Sequence, residues 1–321
     1  MALAGQRVLI TGIAGFVGAN LARALVDAGA DVVGLDQVKT SPSLRALGVD
    51  VDVQVCDVTN WQRVHWELVK RPPDVVFHLA GKSHIKDCQD DPEGAWRANV
   101  QGTWAVLEAC RKLPAGQIQA VVCASSNHVF GSSNWRAWED RDPCGQTDVY
   151  GTSKGCVDLL TRAYGAMGLP VAALRHVNCF GPADPYRSHL VTGTICALLE
   201  GKPPIIRGDG TPIKGYLHVE DVCQAYLTVA KAVATAQIQP GVVVNVRGAP
   251  ISVLSLVDLL IQIAGIKVVP QVLREDMSQT GYVEALRSDQ LEALGWRAGP
   301  LREGLWQTWA WYREHGGMAW L

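Results

Sequence analysis

A glycine-rich segment near the N-terminus restricts the fold more than any other feature of this sequence. Residues 8–10 (VLI) predict a strand, residues 11–18 (TGIAGFVG) follow it, and residues 20–28 have the spacing of a helix. Gly12 and Gly15 let the backbone turn tightly and approach a pyrophosphate, while the helix N-terminus offers free N–H groups. The order of strand, glycine-rich loop and helix therefore predicts a dinucleotide-binding loop. The alternative is a plain strand–helix turn.

Strand and helix patterns alternate along the whole N-terminal half. Further strands are predicted at residues 32–35, 75–77, 121–123 and 171–174, and the helical patterns between them include residues 95–112 and 149–167. Continuous apolar strands that alternate with helices form parallel sheets covered on both faces. The sequence therefore predicts an α/β fold, a Rossmann-type doubly wound parallel sheet.

The pattern changes after about residue 178, where a series of prolines divides the chain into short pieces. Helices are then predicted at residues 252–263 and 300–313. We predict a dinucleotide-binding domain of residues 1–177 with roughly 217–245. Residues 178–216 and 246–321 are expected to form a smaller C-terminal lobe that binds the substrate.

Charge and cysteine content exclude several classes of protein. The 321 residues have a formal net charge of −2, without a basic stripe for a nucleic acid or lipid surface. The apolar runs are shorter than a membrane span, and the first residues lack the pattern of a signal peptide. Nine cysteines without a C-x-x-C pair predict neither a zinc site nor a disulfide framework. We expect a cytoplasmic protein with reduced thiols, no bound metal, and neither a membrane nor a nucleic acid as partner.

Asp36 indicates which dinucleotide the loop binds. It ends the strand that follows the glycine-rich loop and its helix. A carboxylate there accepts hydrogen bonds from ribose hydroxyls and repels a 2′-phosphate, which favours NAD over NADP. Asp57, after the strand at residues 53–56, is placed in the same way to receive the adenine amino group. An ordinary turn aspartate is the alternative at both positions.

Tyr150 and Lys154 form the sharpest chemical signal. Residues four apart on a helix share a face. An ammonium beside a phenol favours the phenolate and lowers its pKa, so that the tyrosinate can act as a general base on a sugar hydroxyl. Ser126 follows the strand at residues 121–123, where ligands bind in such sheets, and is placed to share a proton with Tyr150. A serine that only caps the turn is the alternative.

Together these segments resemble the extended short-chain dehydrogenase/reductase superfamily, in its NAD-dependent nucleotide-sugar epimerase/dehydratase family. The resemblance covers nearly the whole chain. It includes residues 78–81 (HLAG), 99–103 (NVQGT), 175–182 (RHVNCFGP), 208–210 (GDG), 214–221, 274–275 (RE) and 294–296 (LGW). Residues 135–154 are most similar to the CDP-glucose 4,6-dehydratases.

The resemblance implies which residues hold the ligands. The residues that would contact NAD are Gly12, Gly15, Phe16, Val17, Asp36, Asp57, Val58, Leu79, Ala80, Asn99, Tyr150, Lys154 and Val177. Those that would contact the nucleotide-diphosphate sugar are Ser126, Asn127, His128, Asn178, Lys214 and Arg274. The family usually has arginine at position 214, and a lysine is a point charge rather than a bidentate fork. For Asn178 the alternative is a turn residue, and for Lys214 and Arg274 it is a solvated charge.

The resemblance also implies a mechanism, in which Tyr150 takes the proton of the sugar 4-hydroxyl while C4 gives a hydride to NAD. Ser126 and Lys154 complete the catalytic group. A 4,6-dehydratase resembling this chain carries an acidic residue just after Ser126, where this chain has Asn127 and His128. Asparagine cannot exchange a proton, so we expect an NDP-sugar 4-epimerase, with 4,6-dehydration as the alternative. His128 is either an acid/base group, since its pKa is near neutrality, or a hydrogen-bonded turn residue.

Two further classes stay open at this point. A non-catalytic module that binds NAD or a nucleotide sugar would keep the fold, but the intact Tyr150, Lys154 and Ser126 argue against it. A reductase that consumes NAD(P)H would give net oxidation of the cofactor, whereas an epimerase gives none.

The helices predicted at residues 95–112 and 149–167 also indicate an oligomer. They carry apolar residues on more than one side, including Trp104, Leu107, Val157 and Leu160. Members of this family commonly pair through two such helices in a four-helix bundle. The resemblance therefore implies a homodimer.

Overall fold

Seven parallel strands form one sheet of the protein, whose computed structural model describes residues 3–131 and 138–318. The described residues contain twelve strands, of which seven form this sheet: β1 (Arg7–Thr11), β2 (Asp31–Asp36), β3 (Asp52–Val55), β4 (Val75–His78), β5 (Ala120–Ala124), β6 (Val171–His176), β7 (Asn178–Phe180), β8 (Ile205–Ile206), β9 (Ile213–His218), β10 (Val242–Val246), β11 (Ala249–Ser252) and β12 (Gln271–Val272). Their order in the seven-stranded sheet is β10-β6-β5-β4-β1-β2-β3. The strand order reverses between β1 and β4, and ligands bind at such a point, outside the carboxyl ends of the strands.

The helices connect these strands. They are α1 (Phe16–Asp27), α2 (Pro42–Ala46), α3 (Trp61–Lys70), α4 (Ile85–Asp90), α5 (Pro92–Trp96), α6 (Gly102–Arg111), α7 (Val149–Ala166), α8 (Leu190–Leu199), α9 (Val219–Ala234), α10 (Val253–Ala264), α11 (Asp289–Ala293) and α12 (Leu301–Glu314). Across the described ranges, none of the helices combines the length and the apolar character that a membrane crossing requires.

Helices cover both faces of the seven-stranded sheet. On one face α1 and α9 bury Leu21, Leu25 and Tyr226 completely. On the other face α3, α6 and α7 form a second core that includes Leu68 and Leu107. All four residues of β4 are buried, as expected of a strand covered on both sides. The predicted Rossmann-type fold is confirmed.

The smaller lobe is formed by elements that come after β6, and it has its own core. It contains a three-stranded sheet in the order β11-β9-β7, a short pair β12-β8, and helices α8, α10 and α12. Phe180, Ile195 and Tyr312 lie in its core. Within residues 217–245, β10 is a strand of the seven-stranded sheet and α9 packs against that sheet. Helix α11 also packs against β10 and α9. The boundaries given for the two domains stay a prediction.

The helix predicted at residues 95–112 is interrupted. Helix α5 passes into a π-helical turn, Arg97–Gln101, before α6 begins. Within this turn the Asn99 side chain accepts a hydrogen bond from Lys82 N at 2.8 Å and donates to Ser153 Oγ at 2.9 Å. The turn thus directs Asn99 toward the segment after β4 and toward α7. Periodicity cannot predict this, because ordinary helix-forming residues make up the π turn.

Candidate active site

A cleft of about 1030 Å³ lies at the carboxyl ends of β1, β4 and β5, where the large sheet meets the smaller lobe. Its walls come from the glycine-rich loop, the segments after β2, β4 and β5, the first turns of α7, and strands β7 and β9. The site therefore forms at the point where the strand order reverses.

The glycine-rich loop has no room for side chains at two positions. Gly12 has φ +74°, and a Cβ atom there would lie 2.6 Å from Ala80 N. A Cβ atom on Gly18 would lie 2.2 Å from the Gly12 carbonyl oxygen. Helix α1 begins just after Gly15, which provides no side-chain cap for its first N–H groups. The loop thus brings bare backbone and a helix N-terminus to the cleft, which suits a pyrophosphate.

Two carboxylates line the same end of the cleft. Asp36 Oδ2 accepts a hydrogen bond from Ala14 N at 2.9 Å and so joins the end of β2 to the glycine-rich loop. Asp57 Oδ1 accepts from Thr59 N at 2.9 Å. A carboxylate at the end of β2 fits ribose hydroxyls. The backbone cradle and Asp36 together therefore fit NAD.

The predicted NAD-contact residues almost all reach the cleft. Its lining includes Gly12, Gly15, Phe16, Val17, Asp36, Asp57, Val58, Leu79, Ala80, Tyr150, Lys154 and Val177. Asn99 does not belong to the described lining: its side chain is buried behind Gly81 and binds the Lys82 backbone. The structure therefore places Asn99 as a support for the segment after β4.

Tyr150, Lys154 and Ser126 meet at the centre of the cleft. The Asp148 side chain caps α7 by accepting from Gly151 N, which places Tyr150 in the first turn. The Ser126 side chain, just after β5, lies beside Tyr150 and lowers its pKa. Lys154 Nζ donates to the Ala124 carbonyl oxygen at 2.9 Å. The structure thus brings Ser126 and Tyr150 together, and the sharing of a proton between them stays a prediction.

The electrostatics of this group differ from expectation. Burial raises the pKa of Tyr150 to about 12, and the hydrogen bond from Ser126 opposes the rise. Burial also lowers the pKa of Lys154 to about 8. Lys154 was expected to lower the tyrosine pKa, but desolvation dominates and the ammonium binds the Ala124 carbonyl instead. The phenolate therefore needs further positive charge in the cleft, such as an oxidised nicotinamide ring.

The residues predicted to bind the sugar and diphosphate also line the cleft, with one exception. Asn127, His128, Asn178 and Lys214 line the cleft with Ser126. Burial lowers the pKa of Lys214. Arg274 is exposed, has φ +57°, and is absent from the cleft walls in the described ranges.

His128 is held by two side chains of the segment just before α7. Its Nε2 atom lies 3.1 Å from Asp148 Oδ2 and 3.1 Å from Gln146 Nε2. Burial lowers the pKa of His128, although Asp148 opposes the shift. The Asp148 carboxylate and the Gln146 amide meet the same ring nitrogen, which can either donate to the carboxylate or accept from the amide.

Sequence motifs did not reveal two groups of cleft residues. Glu284 is a buried carboxyl group on the wall that carries Asn178 and Lys214. His84 and His189 meet across the cleft with Nε2 atoms 3.0 Å apart, and Asp184 Oδ2 lies 2.7 Å from His189 Nδ1. The two histidines are 105 positions apart, so no local spacing could have indicated their contact.

One part of the predicted family resemblance cannot be compared with the structure. Residues 135–154 include positions 135–137, which lie outside the described residues. From Trp138 onward the segment is described and leads into α7.

Comparisons with known proteins give relatives of two reaction types. The family model described as "NAD dependent epimerase/dehydratase family" matches residues 8–246. The dTDP-glucose 4,6-dehydratase of Streptomyces griseus is 30% identical over 337 residues, which cover 96% of this chain and 94% of the relative. The trifunctional UDP-glucose 4,6-dehydratase/UDP-4-keto-6-deoxy-D-glucose 3,5-epimerase/UDP-4-keto-L-rhamnose-reductase RHM3 of Arabidopsis thaliana is 30% identical over 69% of this chain. The chain spans 34% of that protein's length.

Solved structures show the same division. The dTDP-glucose 4,6-dehydratase DesIV of Streptomyces venezuelae, solved with NAD bound, is 26% identical with a TM-score of 0.83, covering 97% of this chain and 98% of the other. The UDP-glucose 4-epimerase of Thermus thermophilus, solved with NAD, is 26% identical with a TM-score of 0.82, covering 96% of this chain and 99% of the other.

Proposed function

The chain belongs to the NAD-dependent epimerase/dehydratase family, and we propose that it oxidises a nucleotide-diphosphate hexose at C4 to a transient 4-keto sugar. It is an enzyme, and its cofactor is NAD. The observation that carries the proposal is the placement of Ser126 beside Tyr150 and Lys154 in the cleft that the glycine-rich loop also lines. Lys154 lies on the same helix face, behind the tyrosine.

Each residue of the group has a separate task in this chemistry. NAD, when bound, supplies a hydride acceptor that also returns the hydride, so that no net oxidation results. Gly12, Gly15 and the start of α1 would hold its pyrophosphate, and Asp36 its ribose. Tyr150 takes the proton of the 4-hydroxyl, and Lys154 stabilises the charge that develops on the phenol.

Two outcomes are open to the 4-keto sugar. 4-Epimerisation needs only re-reduction from the other side, and Asn127 in place of an acidic residue supports it. 4,6-Dehydration also needs a base at C5 and an acid at C6. The buried Glu284 supports this second outcome, as do the names of the curated relatives. Nucleotide-sugar binding itself is a proposal that rests on Asn178 and Lys214 in the cleft.

Product analysis on a panel of UDP-, GDP-, CDP- and dTDP-hexoses tests this function. We expect one of them to give a product by mass spectrometry without net consumption of NAD. A product lighter by one water indicates 4,6-dehydration, and an unchanged mass with a new retention time indicates epimerisation. Stoichiometric oxidation of NAD(P)H would indicate a reductase instead, and binding without turnover of any hexose would indicate a binding module.

We further propose that the protein is a homodimer that pairs through α6 and α7. On these helices Trp104 and Leu159 are exposed, whereas Leu107 and Val157 are buried inside the subunit. Light scattering at micromolar concentration should give twice the chain mass of 34.6 kDa. Leu159→Glu should shift the protein to the monomer, because it places a charge on the apolar face. Trp306→Glu, at an exposed position of α12, is the control. A monomeric native protein would contradict this proposal.

A further inference from the structure

Glu284 lies on the sugar side of the cleft, outside every motif of the sequence. Only 5% of the residue is exposed, and it contributes to the cleft wall. Glutamate is almost never buried to this degree unless it has partners, because removing a carboxylate from water costs several kcal/mol. The buried Glu284 carboxyl group therefore requires contacts that offset the loss of water.

The backbone on both sides of Glu284 is fixed by pairing with other segments. Glu284 N donates to the Ile213 carbonyl oxygen at 2.9 Å, and Ile213 N donates to that of Tyr282 at 2.9 Å. Trp138 N donates to the Ala285 carbonyl oxygen at 2.9 Å. The segment is thus held between β9 and the chain at Trp138, so that the carboxyl group has a defined place in the cleft.

Two of the residues beside the Glu284 side chain, Asn127 and Asn178, were predicted to contact the nucleotide-diphosphate sugar. Its Oε1 atom accepts hydrogen bonds from Asn178 Nδ2 at 3.2 Å and from Gly215 N at 3.4 Å. The Asn127 side chain lies near the carboxyl group and lowers its pKa. Glu284 therefore brings a carboxyl group beside Asn127, the position where a dehydratase resembling this chain carries an acidic residue.

The pKa values of Glu284 and His128 shift in directions that fit a proton donor and a proton acceptor. Burial raises the pKa of Glu284, although Lys214 and the hydrogen bonds from Asn127 and Gly215 oppose the rise. Burial lowers the pKa of His128. A raised carboxyl pKa favours a proton donor and a lowered imidazole pKa favours a neutral base. Environments that separate two pKa values in this way are typical of acid–base pairs in enzymes.

We propose that Glu284 donates the proton to the departing C6 hydroxyl of the 4-keto hexose, while His128 removes the proton from C5. This inference rests on the proposed C4 oxidation and selects 4,6-dehydration as its outcome. The C5–H electron pair forms the C5–C6 double bond as the C6–O bond breaks, and water leaves with the proton of Glu284. The hydride taken from C4 is returned to C6, and His128 returns a proton to C5. The proton that Tyr150 took from O4 replaces the one lost by Glu284, through solvent, so that the net change is loss of one water.

Glu284→Gln tests the assignment, because glutamine keeps the shape of the side chain and its contact with Asn178 but cannot transfer a proton. In a single turnover with the active nucleotide hexose, reduced nicotinamide absorbance should form within about threefold of the native rate. Loss of water should slow by about 10²–10⁴-fold, and the 4-keto hexose should accumulate. Glu284→Asp should recover part of the loss. Glu314→Gln, exposed at the end of α12, is the matched control and should behave as the native enzyme.

Deuterated water separates failure of this inference from failure of the proposed function. The native enzyme should release water and incorporate deuterium at C5, and Glu284→Gln should do neither at the native rate. Epimerisation without deuterium at C5, or dehydration at native rates by Glu284→Gln, would overturn the role of Glu284 and leave C4 oxidation intact. Loss of both C4 oxidation and dehydration in a Glu284→Gln protein of native melting temperature would also overturn it. Absence of reduced nicotinamide with every hexose in the native enzyme would refute the C4 chemistry itself.

Discussion

Tyr150→Phe is expected to lower turnover of the active nucleotide hexose by about 10²–10⁴-fold, because it removes the group that takes the 4-hydroxyl proton. Phenylalanine keeps the ring that packs against Cys88 and Ala95, so the fold and the NAD content should not change. Lys154→Met should slow the same step, since it removes a buried positive charge from a cleft in which the phenolate needs one. Steady-state rates, melting temperature and bound nucleotide should be measured together.

The raised pKa of Tyr150 predicts the direction in which the rate of C4 oxidation changes with pH. Burial raises the pKa of Tyr150 to about 12, so the fraction of phenolate rises with pH across the neutral range. C4 oxidation by the native enzyme should therefore accelerate as pH rises toward about 8, above which Lys154 loses the proton that lets it stabilise the phenolate. Tyr164→Phe is the matched control, since Tyr164 is on the same helix but binds Glu108 outside the cleft. Native rates in Tyr150→Phe would remove the general-base role and favour a binding module.

Gly12→Ala is expected to reduce strongly the NAD that the native protein should retain through purification. A Cβ atom at this position collides with Ala80 N, and relief of the collision must move the loop that receives the pyrophosphate. Left-handed strain adds roughly 1–2 kcal/mol for a residue other than glycine. Because 1.4 kcal/mol corresponds to tenfold in affinity, we expect the NAD affinity to fall by about tenfold or more. Acid extraction followed by chromatography measures the bound nucleotide.

Gly116→Ala separates strain from collision. Gly116 also has a left-handed φ of +81°, but a Cβ atom there has open space around it. Gly116→Ala should have about the same left-handed strain as Gly12→Ala, and it should keep its NAD. Equal NAD loss in both variants would show that strain, and not the close approach to Ala80, is responsible.

NADP as the main extracted nucleotide would contradict the role given to Asp36.

Local sequence signals were sufficient where one short segment contains all the necessary information. The glycines of residues 11–18 were sufficient to predict the tight turn, and Gly12 has the left-handed φ that this turn requires. The helix predicted at residues 149–167 matches α7 (Val149–Ala166), and its spacing alone places Tyr150 and Lys154 on one face. The end of β5 was sufficient to bring Ser126 to the same edge of the sheet as the loop.

Predictions that depended on surroundings were less successful. The expected lowering of the Tyr150 pKa by Lys154 is not found, because the depth of burial and the acceptor at Ala124 decide it. Asn99 supports the segment after β4, and Arg274 is exposed, although both were expected to contact ligands. Their roles as contacts of NAD and diphosphate stay predictions. A motif identifies a residue type at a position, but the direction of the side chain depends on neighbours that are distant in sequence.

The sequence by itself determined the sheet, the dinucleotide loop and the tyrosine–lysine pair, because apolar periodicity and helix spacing act over a few residues. Only the tertiary structure brought Glu284 to Asn178, 106 positions earlier in the chain, and His84 to His189. It also decided the ionisation of these groups, since desolvation depends on how many atoms of other segments surround a side chain. Asn127 argued for epimerisation when considered alone. The carboxyl group that the fold places beside it supplies the proton donor on which 4,6-dehydration depends.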